Sequence, residues 1–406
     1  MTEFTDGMCV QTQILIMDSH PLHDGRVNRH ISYLNSTHKY KIFRLNLIFN
    51  STKTHLKYHE YVSLFQLTLV TSRVKIFRQM GEFLWSLFFH KKYSVNYCID
   101  KLGIDCNIPT IIHVHDPLLL LAGKHFSRYF SSSSVIYDKH ENYYSSSSLK
   151  DISGLILRFM ERFGARNLDG VVIVHPSHRE SAVNISKSNN IALVPNYPYI
   201  SDVDSGYIVD KIRSIDSASE FTMTYIGSLN WNSDRDIRTI LFITEHLLSF
   251  FSNIKVVIGG ATSDLKLQGE FDRLSRRFQE RFVYVGFITP REIMRIHQES
   301  HMGFYMIKPD TDAWVASSSN KIYEYLSCGM IPILRTPQTD YDDFSSCSLI
   351  FRRDDSKEFI LEKIKELLSD GEKIQHLMQA AFEQSKHHSF ETVSSRYIEL
   401  YDSVLK

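Results

Sequence analysis

Lys321 and Glu324 lie three residues apart in the run Ser318-Ser319-Asn320-Lys321-Ile322-Tyr323-Glu324-Tyr325-Leu326-Ser327-Cys328-Gly329-Met330-Ile331-Pro332-Ile333. On a helix that spacing puts a cation and a carboxylate on one face. The run reads as a small polar loop, a helix from about Asn320 to Cys328, a glycine stop, and a buried strand at Ile331-Pro332-Ile333-Leu334. Ser318, Ser319 and Asn320 can each cap the backbone N–H groups at the helix start, where the dipole favours an anion. A phosphate at one end and a sugar hydroxyl at the other suit this arrangement. An ordinary surface ion pair on an amphipathic helix is the plain alternative.

Other candidates sit where strands end. His113-Val114-His115-Asp116 closes a strand, and alternation sends both histidines to one side of the sheet, with Asp116 at the carboxyl end facing a cleft. His140 and Glu141 follow the next strand, where a histidine can hydrogen-bond a sugar or position an acceptor hydroxyl. In the first loop, Gly25 lets the backbone approach a ligand and Arg26 offers a planar fork for an oxyanion; an Asp-Gly turn with a solvated arginine is the competing account. Gly227 and Arg235 bracket a strand-to-helix junction in the second half, and Gly286 ends a later strand.

The elements that must carry these residues alternate. Strands are predicted at Gln13 to Met17, Tyr40 to Leu47, Thr110 to Val114, Ser134 to Tyr137, Gly170 to Val174 and Ile191 to Val194, with helical patterns between several of them. Pro195-Asn196-Tyr197-Pro198 marks a boundary. The pattern then restarts with a strand at Phe221 to Ile226, a helix from about Arg235 to Phe250, and strands at Lys255 to Ile258, Phe282 to Val285, Met302 to Met306 and Ser348 to Phe351. Two doubly wound α/β domains follow, 1–197 and 198–385, with a terminal helix in 386–406. Two serine runs, Ser131 to Ser134 and Ser145 to Ser148, read as segments without a packed face.

The Lys321–Glu324 helix, with Gly329 through Ile333 after it, resembles the donor-sugar motif of GT-B glycosyltransferases, in particular the retaining family 4. The first loop, the linker, the second-domain motifs and the terminal helix, which resembles one that crosses back onto the N-terminal domain, extend the resemblance over nearly the whole chain. It implies two Rossmann-like domains facing an interdomain cleft and transfer of a sugar from a nucleotide-sugar donor to a saccharide or lipid-linked acceptor, in cell-surface polysaccharide or glycan assembly, with retention. Glu324 would hold the ribose, Lys321, Arg235, Gly227, Ser319 and Asn320 the diphosphate end, and main-chain groups near Gly286 the base. His140 and Asp116 would lie near the transferred sugar, and Gly25, Arg26 and Glu141 on the acceptor or phosphate side. Two departures stand out: the family's first glutamate is Ala316 here, and its common arginine after the glycine is Ser228. They keep a catalytically silent sugar-nucleotide-binding scaffold in play, beside a nucleotide-sugar epimerase of the same architecture.

The chain of 406 residues, 43% hydrophobic, is long enough for two cores. Its 46 basic and 46 acidic residues cancel, so no general attraction to nucleic acid is expected. Five scattered cysteines lack metal or redox spacing, and nineteen histidines lack the cysteine partners of zinc sites, so no metal or other cofactor is expected. Without a signal-like start or a membrane-length apolar run, the reading is cytoplasmic. The basic and aromatic stretch 73–92 reads either as a peripheral contact with the inner face of the membrane or as a core helix with snorkelling lysines.

Overall fold

The computed structural model describes residues 12–20, 22, 24–48, 56–59, 62–68, 95–140, 152–215, 220–309, 319–336 and 344–405. The chain divides into two compact units, Met1–Pro195 together with Val393–Lys406, and Asn196–Thr392. Glu141, Ala316, Ser318, the second serine run and the stretch 73–92 lie outside the described residues.

The first unit is built on eight strands: β1 Gln13–Asp18, β2 Lys41–Ile48, β3 Leu56–His59, β4 Val62–Thr68, β5 Thr110–Val114, β6 Ser133–Lys139, β7 Gly170–Ile173 and β8 Ile191–Leu193. They lie in the order β3-β4-β2-β1-β5-β6-β7-β8, parallel except for the β3–β4 pair. Every residue of β1 is buried, as a central strand covered on both faces requires. The antiparallel β3–β4 pair was not anticipated, because the four-residue edge strand β3 and its hairpin to β4 fall outside the βαβ rhythm that identifies the others. Ser133 and Ser134 correct the reading of the first serine run: both belong to β6, and the Ser134 hydroxyl donates to the Val404 carbonyl at 2.8 Å.

The two faces of this sheet differ in chemistry. Leu15, Met17, Ile112, Val114 and Tyr137 point into an apolar core with Leu120 and Ala122. Each wholly buried apolar side chain there contributes about 1.5–3 kcal/mol. The opposite face carries His113, His115 and Asp138, all buried. They lie under the helix Gly25–Ser36, capped by Asp24, and the last helix, Ser395–Val404. That last helix belongs to the first unit: Tyr397 stacks on His30 with ring centroids 4.1 Å apart, and Arg396 donates to the Leu193 carbonyl at 2.7 Å.

The second unit is a six-stranded, wholly parallel sheet: β9 Phe221–Ile226, β10 Ile254–Gly259, β11 Phe282–Gly286, β12 Met302–Met306, β13 Ile331–Arg335 and β14 Leu349–Phe351. The order β11-β10-β9-β12-β13-β14 reverses direction between β9 and β12, the point at whose carboxyl edge open α/β sheets bind ligands. Asp236 caps the helix Ile237–Phe250 by accepting from Thr239 N at 3.1 Å, and its carboxylate also takes the buried Arg335 guanidinium. Arg235 therefore precedes that helix instead of opening it. The helix Pro290–Glu299 starts with a capping box between Thr289 and Glu292.

Candidate functional site

Four glycines, Gly227, Gly259, Gly260 and Gly286, step across the carboxyl ends of β9, β10 and β11. Gly227 N donates to Gly259 O at 2.9 Å, and Gly260 N donates to Gly286 O at 2.7 Å. Gly260 has φ +142, and a Cβ there would sit 2.0 Å from the Gly227 carbonyl oxygen, so only glycine permits this approach. The predicted Gly227 and Gly286 thus belong to one tightly packed edge, with Gly286 in the left-handed region at φ +65.

Lys321 reaches that edge from the helix Asn320–Ser327. A Cβ on Gly227 would lie 2.7 Å from Lys321 Cε and 2.9 Å from its Nζ. Arg235 approaches from the β9–helix connection, held by an antiparallel bridge to Ile307 at the end of β12. Its guanidinium lies over the Tyr305 ring at 4.9 Å, donates to the Tyr305 hydroxyl at 3.3 Å, and sits 3.4 Å from Asp234. Burial first, and then the field of Arg235, push the Lys321 ammonium down to about 8, against the opposing pull of Glu324 and Asp234. Two cations are held within each other's repulsion at the strand-order reversal. Lys321 makes no ion pair among the described residues. An anion at this point would relieve that repulsion.

Glu324, half-buried, shares the helix face with Lys321. Its Oε2 is 3.9 Å from Nδ1 of His297, a wholly buried ring whose two nitrogens have no hydrogen-bond partner among the described residues. Burial, with Lys321 and Lys211 nearby, lowers His297 to about 3, so this neutral ring meets Glu324 as a dipole and not as an ion. Ser319 and Asn320 correct an expectation: Ser319 is the N-cap residue but its side chain makes no capping bond, and Asn320 is exposed.

In the first unit, β1 and β5 flank that sheet's own reversal of strand order. Asp116 follows β5, is buried, and accepts a short hydrogen bond from the Ser19 hydroxyl beyond β1. His20 Nε2 lies 3.6 Å from Asp116 Oδ2, and the His20 ring stacks parallel to His140 with centroids 5.2 Å apart. Burial opposes a charge on His20, but Asp116, Asp24 and Asp18 outweigh it and raise its pKa above the ordinary histidine value.

Arg26 is the clearest departure from the sequence reading. Its fork is not open to an oxyanion: Nε and Nη2 donate to the buried Asp138 at 2.8–3.2 Å, and Nη1 donates to the Val194 carbonyl at 2.9 Å. The reason is the sheet face: a carboxylate on β6 with no water near it needs a buried cation, and the helix opened by Gly25 supplies one. Gly25 itself is exposed, next to the Arg29 side chain. Burial works against ionisation of Asp138, but Arg26 and then His140 overcome it and hold the carboxyl well below its usual range.

The structure thereby joins Arg26 to His140, which were read as separate features, because His140 Nε2 lies 3.5 Å from Asp138 Oδ1 and 3.1 Å from His115 Nδ1. His30, His113 and Tyr401 complete this cluster; the sequence pointed to His113 only through its even spacing with His115, and His30 and Tyr401 were not singled out. Among the described residues, His30, His113 and His115, or His115, Asp138 and His140, come close enough to surround a cation. Their nitrogens already face one another, Tyr401 or Asp138, so a cation would have to break that network.

No protein-family model matches the sequence, and no curated protein matches it. Solved structures do. Sucrose-phosphate synthase from Thermosynechococcus elongatus superposes with a TM-score of 0.70 at 14% identity, over 97% of this chain and 99% of that one. An E. coli structure described as trehalose-6-phosphate bound with UDP-2-fluoro glucose gives 0.67 at 10% identity, over 97% and 99%. The Anabaena HepE protein in complex with UDP and glucose gives 0.64 at 11% identity, over 96% and 99%. At these identities the likeness concerns backbone architecture, and it runs almost end to end: the chain has the GT-B fold, two Rossmann-like α/β domains in one polypeptide.

Proposed function

We propose that this protein is a glycosyltransferase that moves a sugar from a nucleotide-diphosphate donor to a saccharide acceptor, free or lipid-linked, with retention of anomeric configuration. The observation that carries the reading is the Lys321–Arg235 pair: two cations within each other's field where β9 and β12 diverge, Lys321 packed against Gly227 and unpaired among the described residues. A diphosphate matches that charge, and the absence of a side chain on Gly227 lets the Lys321 ammonium reach the strand edge. Glu324, on the same helix face, accepts hydrogen bonds from the ribose hydroxyls. The UDP and UDP-sugar bound to proteins of the same fold support the choice of ligand.

In this reaction the bond from the anomeric carbon to the phosphate oxygen breaks as the acceptor oxygen bonds to the same carbon. The acceptor proton passes to the departing phosphate on the same face. Protein groups stabilise the charge that develops on the diphosphate and orient the sugar, tasks for Lys321, Arg235 and His140. With two cations neutralising the diphosphate, no divalent ion is required, and transfer is expected to persist in the presence of a chelator. Assembly of a cell-surface glycan and contact with a membrane surface belong to the same proposal. No helix among the described residues is long and apolar enough to cross a membrane.

The test is a thermal-shift screen of UDP-glucose and other nucleotide sugars, followed by transfer assays with a panel of saccharide acceptors. A nucleotide sugar that raises the melting temperature, and release of its nucleoside diphosphate only when an acceptor is present, are expected. Binding without any turnover, or conversion of the donor with no acceptor present, would overturn the assignment.

A further inference from the structure

The buried polar cluster of the first unit is a continuous chain of hydrogen-bonding groups. His140 Nε2 is 3.1 Å from His115 Nδ1, and His115 Nε2 is 3.1 Å from His30 Nδ1. His30 Nε2 is 2.6 Å from the Tyr401 hydroxyl, which is 2.9 Å from His113 Nδ1. The chain then returns to Asp138, whose Oδ2 lies 3.6 Å from His113 Nε2 and 3.4 Å from His115 Nδ1. His30, His113, His115, Asp138 and Tyr401 are all fully buried, and His140 alone of the chain is partly open.

Burial keeps the three inner histidines below their ordinary pKa, so each ring carries one proton and its two nitrogens play opposite roles. The Tyr401 hydroxyl also has one proton to give. With His140 singly protonated as well, these limits allow only two arrangements, because fixing one proton fixes every other. In the first, His113 Nε2–H points at Asp138, Tyr401 donates to His113 Nδ1, His30 Nε2–H donates to Tyr401, His115 Nε2–H donates to His30 Nδ1, and His140 Nε2–H donates to His115 Nδ1. His140 Nδ1 is then a bare lone pair. In the second, every proton is reversed and His140 Nδ1 carries hydrogen.

Asp138 decides between them. Paired with Arg26, it is an anion, and three histidine nitrogens face it at 3.4–3.6 Å. The first arrangement turns two N–H groups, of His113 and His140, toward the carboxylate and one lone pair, of His115, against it. The second turns one N–H toward it and two lone pairs against it. Electrostatics favours the first.

We infer that the buried chain Tyr401–His30–His115, biased by Asp138 through His113, sets the tautomer of His140, holding Nε2 protonated and leaving Nδ1 as a bare acceptor for a hydroxyl of the transferred sugar. Tyr401 is a positioning residue that acts at a distance, from the last helix of the chain. The use of the acceptor by a sugar rests on the glycosyltransferase reading; the tautomer itself does not. His140 Nδ1 has no hydrogen-bond partner among the described residues, which leaves that lone pair available.

The experiment is a two-bond ¹H–¹⁵N correlation spectrum of the full-length protein labelled with ¹⁵N-histidine, with His140 identified by its loss in His140→Gln. In the wild type, His140 Nδ1 should give a pyridine-type signal and Nε2 a pyrrole-type signal. Tyr401→Phe removes the central hydroxyl and should convert His140 to a mixture of tautomers. Tyr397→Phe, whose hydroxyl touches Asp138 at 3.4 Å outside the chain, should leave the His140 pattern unchanged. His30→Asn breaks the next link and carries the same expectation if Tyr401→Phe does not fold. A pyridine-type Nε2 in the wild type, or a His140 pattern indifferent to loss of the Tyr401 hydroxyl and of the His30 link, would overturn the inference. These spectra need no substrate, so they can fail while sugar transfer stands, and absence of transfer would leave them intact. With transfer established, Tyr401→Phe should lower kcat about tenfold with little change in donor KM, the cost of one misdirected hydrogen bond; an unchanged kcat would separate the tautomer from the reaction.

Discussion

Lys321 lies across Gly227 so closely that a Cβ on that glycine would fall 2.7 Å from the lysine Cε and 2.9 Å from its ammonium nitrogen. The lysine's position therefore depends on a missing side chain elsewhere in the domain. Gly227→Ala should displace the ammonium and weaken binding of UDP about tenfold, with the melting temperature nearly unchanged because the stem of a lysine can move. Gly260→Ala should behave differently. Its Cβ would strike the Gly227 carbonyl oxygen, which is backbone, at a φ that disfavours alanine, and a loss of about 1–3 kcal/mol in urea unfolding is expected.

Removing the cation tests the proposed diphosphate site directly. Lys321→Ala should reduce UDP affinity by about thirtyfold, some 2 kcal/mol for a lost charge-assisted contact, measured by titration calorimetry. Glu324→Ala should spare inorganic pyrophosphate and weaken UDP. Equal losses for both ligands would remove Glu324 from the ribose.

The depressed Lys321 also predicts a pH dependence. An anion binds the charged ammonium, and in the free protein that charge is lost as pH rises through about 8, well below the usual lysine value. Affinity for UDP-glucose, whose diphosphate diester does not titrate in this range, should be flat below pH 7 and fall above pH 8, by at most about tenfold per unit. Lys321→Arg, which stays charged, should flatten the curve.

Acid should destabilise the fold through its buried histidines. His297 and His301 are lowered to about 3, burial being the first cause, and His30 and His115 are held well below 6.5. An unfolded chain takes up protons on these rings below about pH 6.5 while the native state does not, so stability is present above that pH and declines below it. Each such ring contributes a slope of about 1.4 kcal/mol per pH unit. Urea midpoints that hold steady from pH 7 to pH 5 would contradict this.

Arg26 offers a test of its reassignment from ligand to structure. Arg26→Met leaves Asp138 buried without its counter-charge and should cost about 3–5 kcal/mol of stability. Adding Asp138→Leu to that variant should recover part of the loss. A phosphate-binding arginine would instead show weaker UDP binding with stability unchanged.

How much of this was legible in sequence depends on the distance over which each relationship acts. Lys321 and Glu324 share a helix face because they are three residues apart, and His113 and His115 share a sheet face because they are two apart; both follow from backbone periods. Strand positions such as Thr110–Val114, Phe221–Ile226 and Met302–Met306 were readable for the same reason. The β3–β4 hairpin was not, since its edge strand, Leu56–His59, is only four residues long and lacks the apolar run of the central strands.

Chain order and local pattern thus settled the class of fold, the alternation of strands and helices, and which residues end strands. Tertiary structure alone decided their uses. Arg26 meets Asp138 at a sequence separation of 112 and Tyr401 meets His113 at 288, separations at which periodicity carries no information. A carboxylate on a dry sheet face must find a cation wherever the packing brings one, and here it claims the guanidinium that local sequence assigns to a ligand. The same physics leaves Lys321 without an ion pair among the described residues, because Glu324 and Asp234 only partly offset Arg235 and burial.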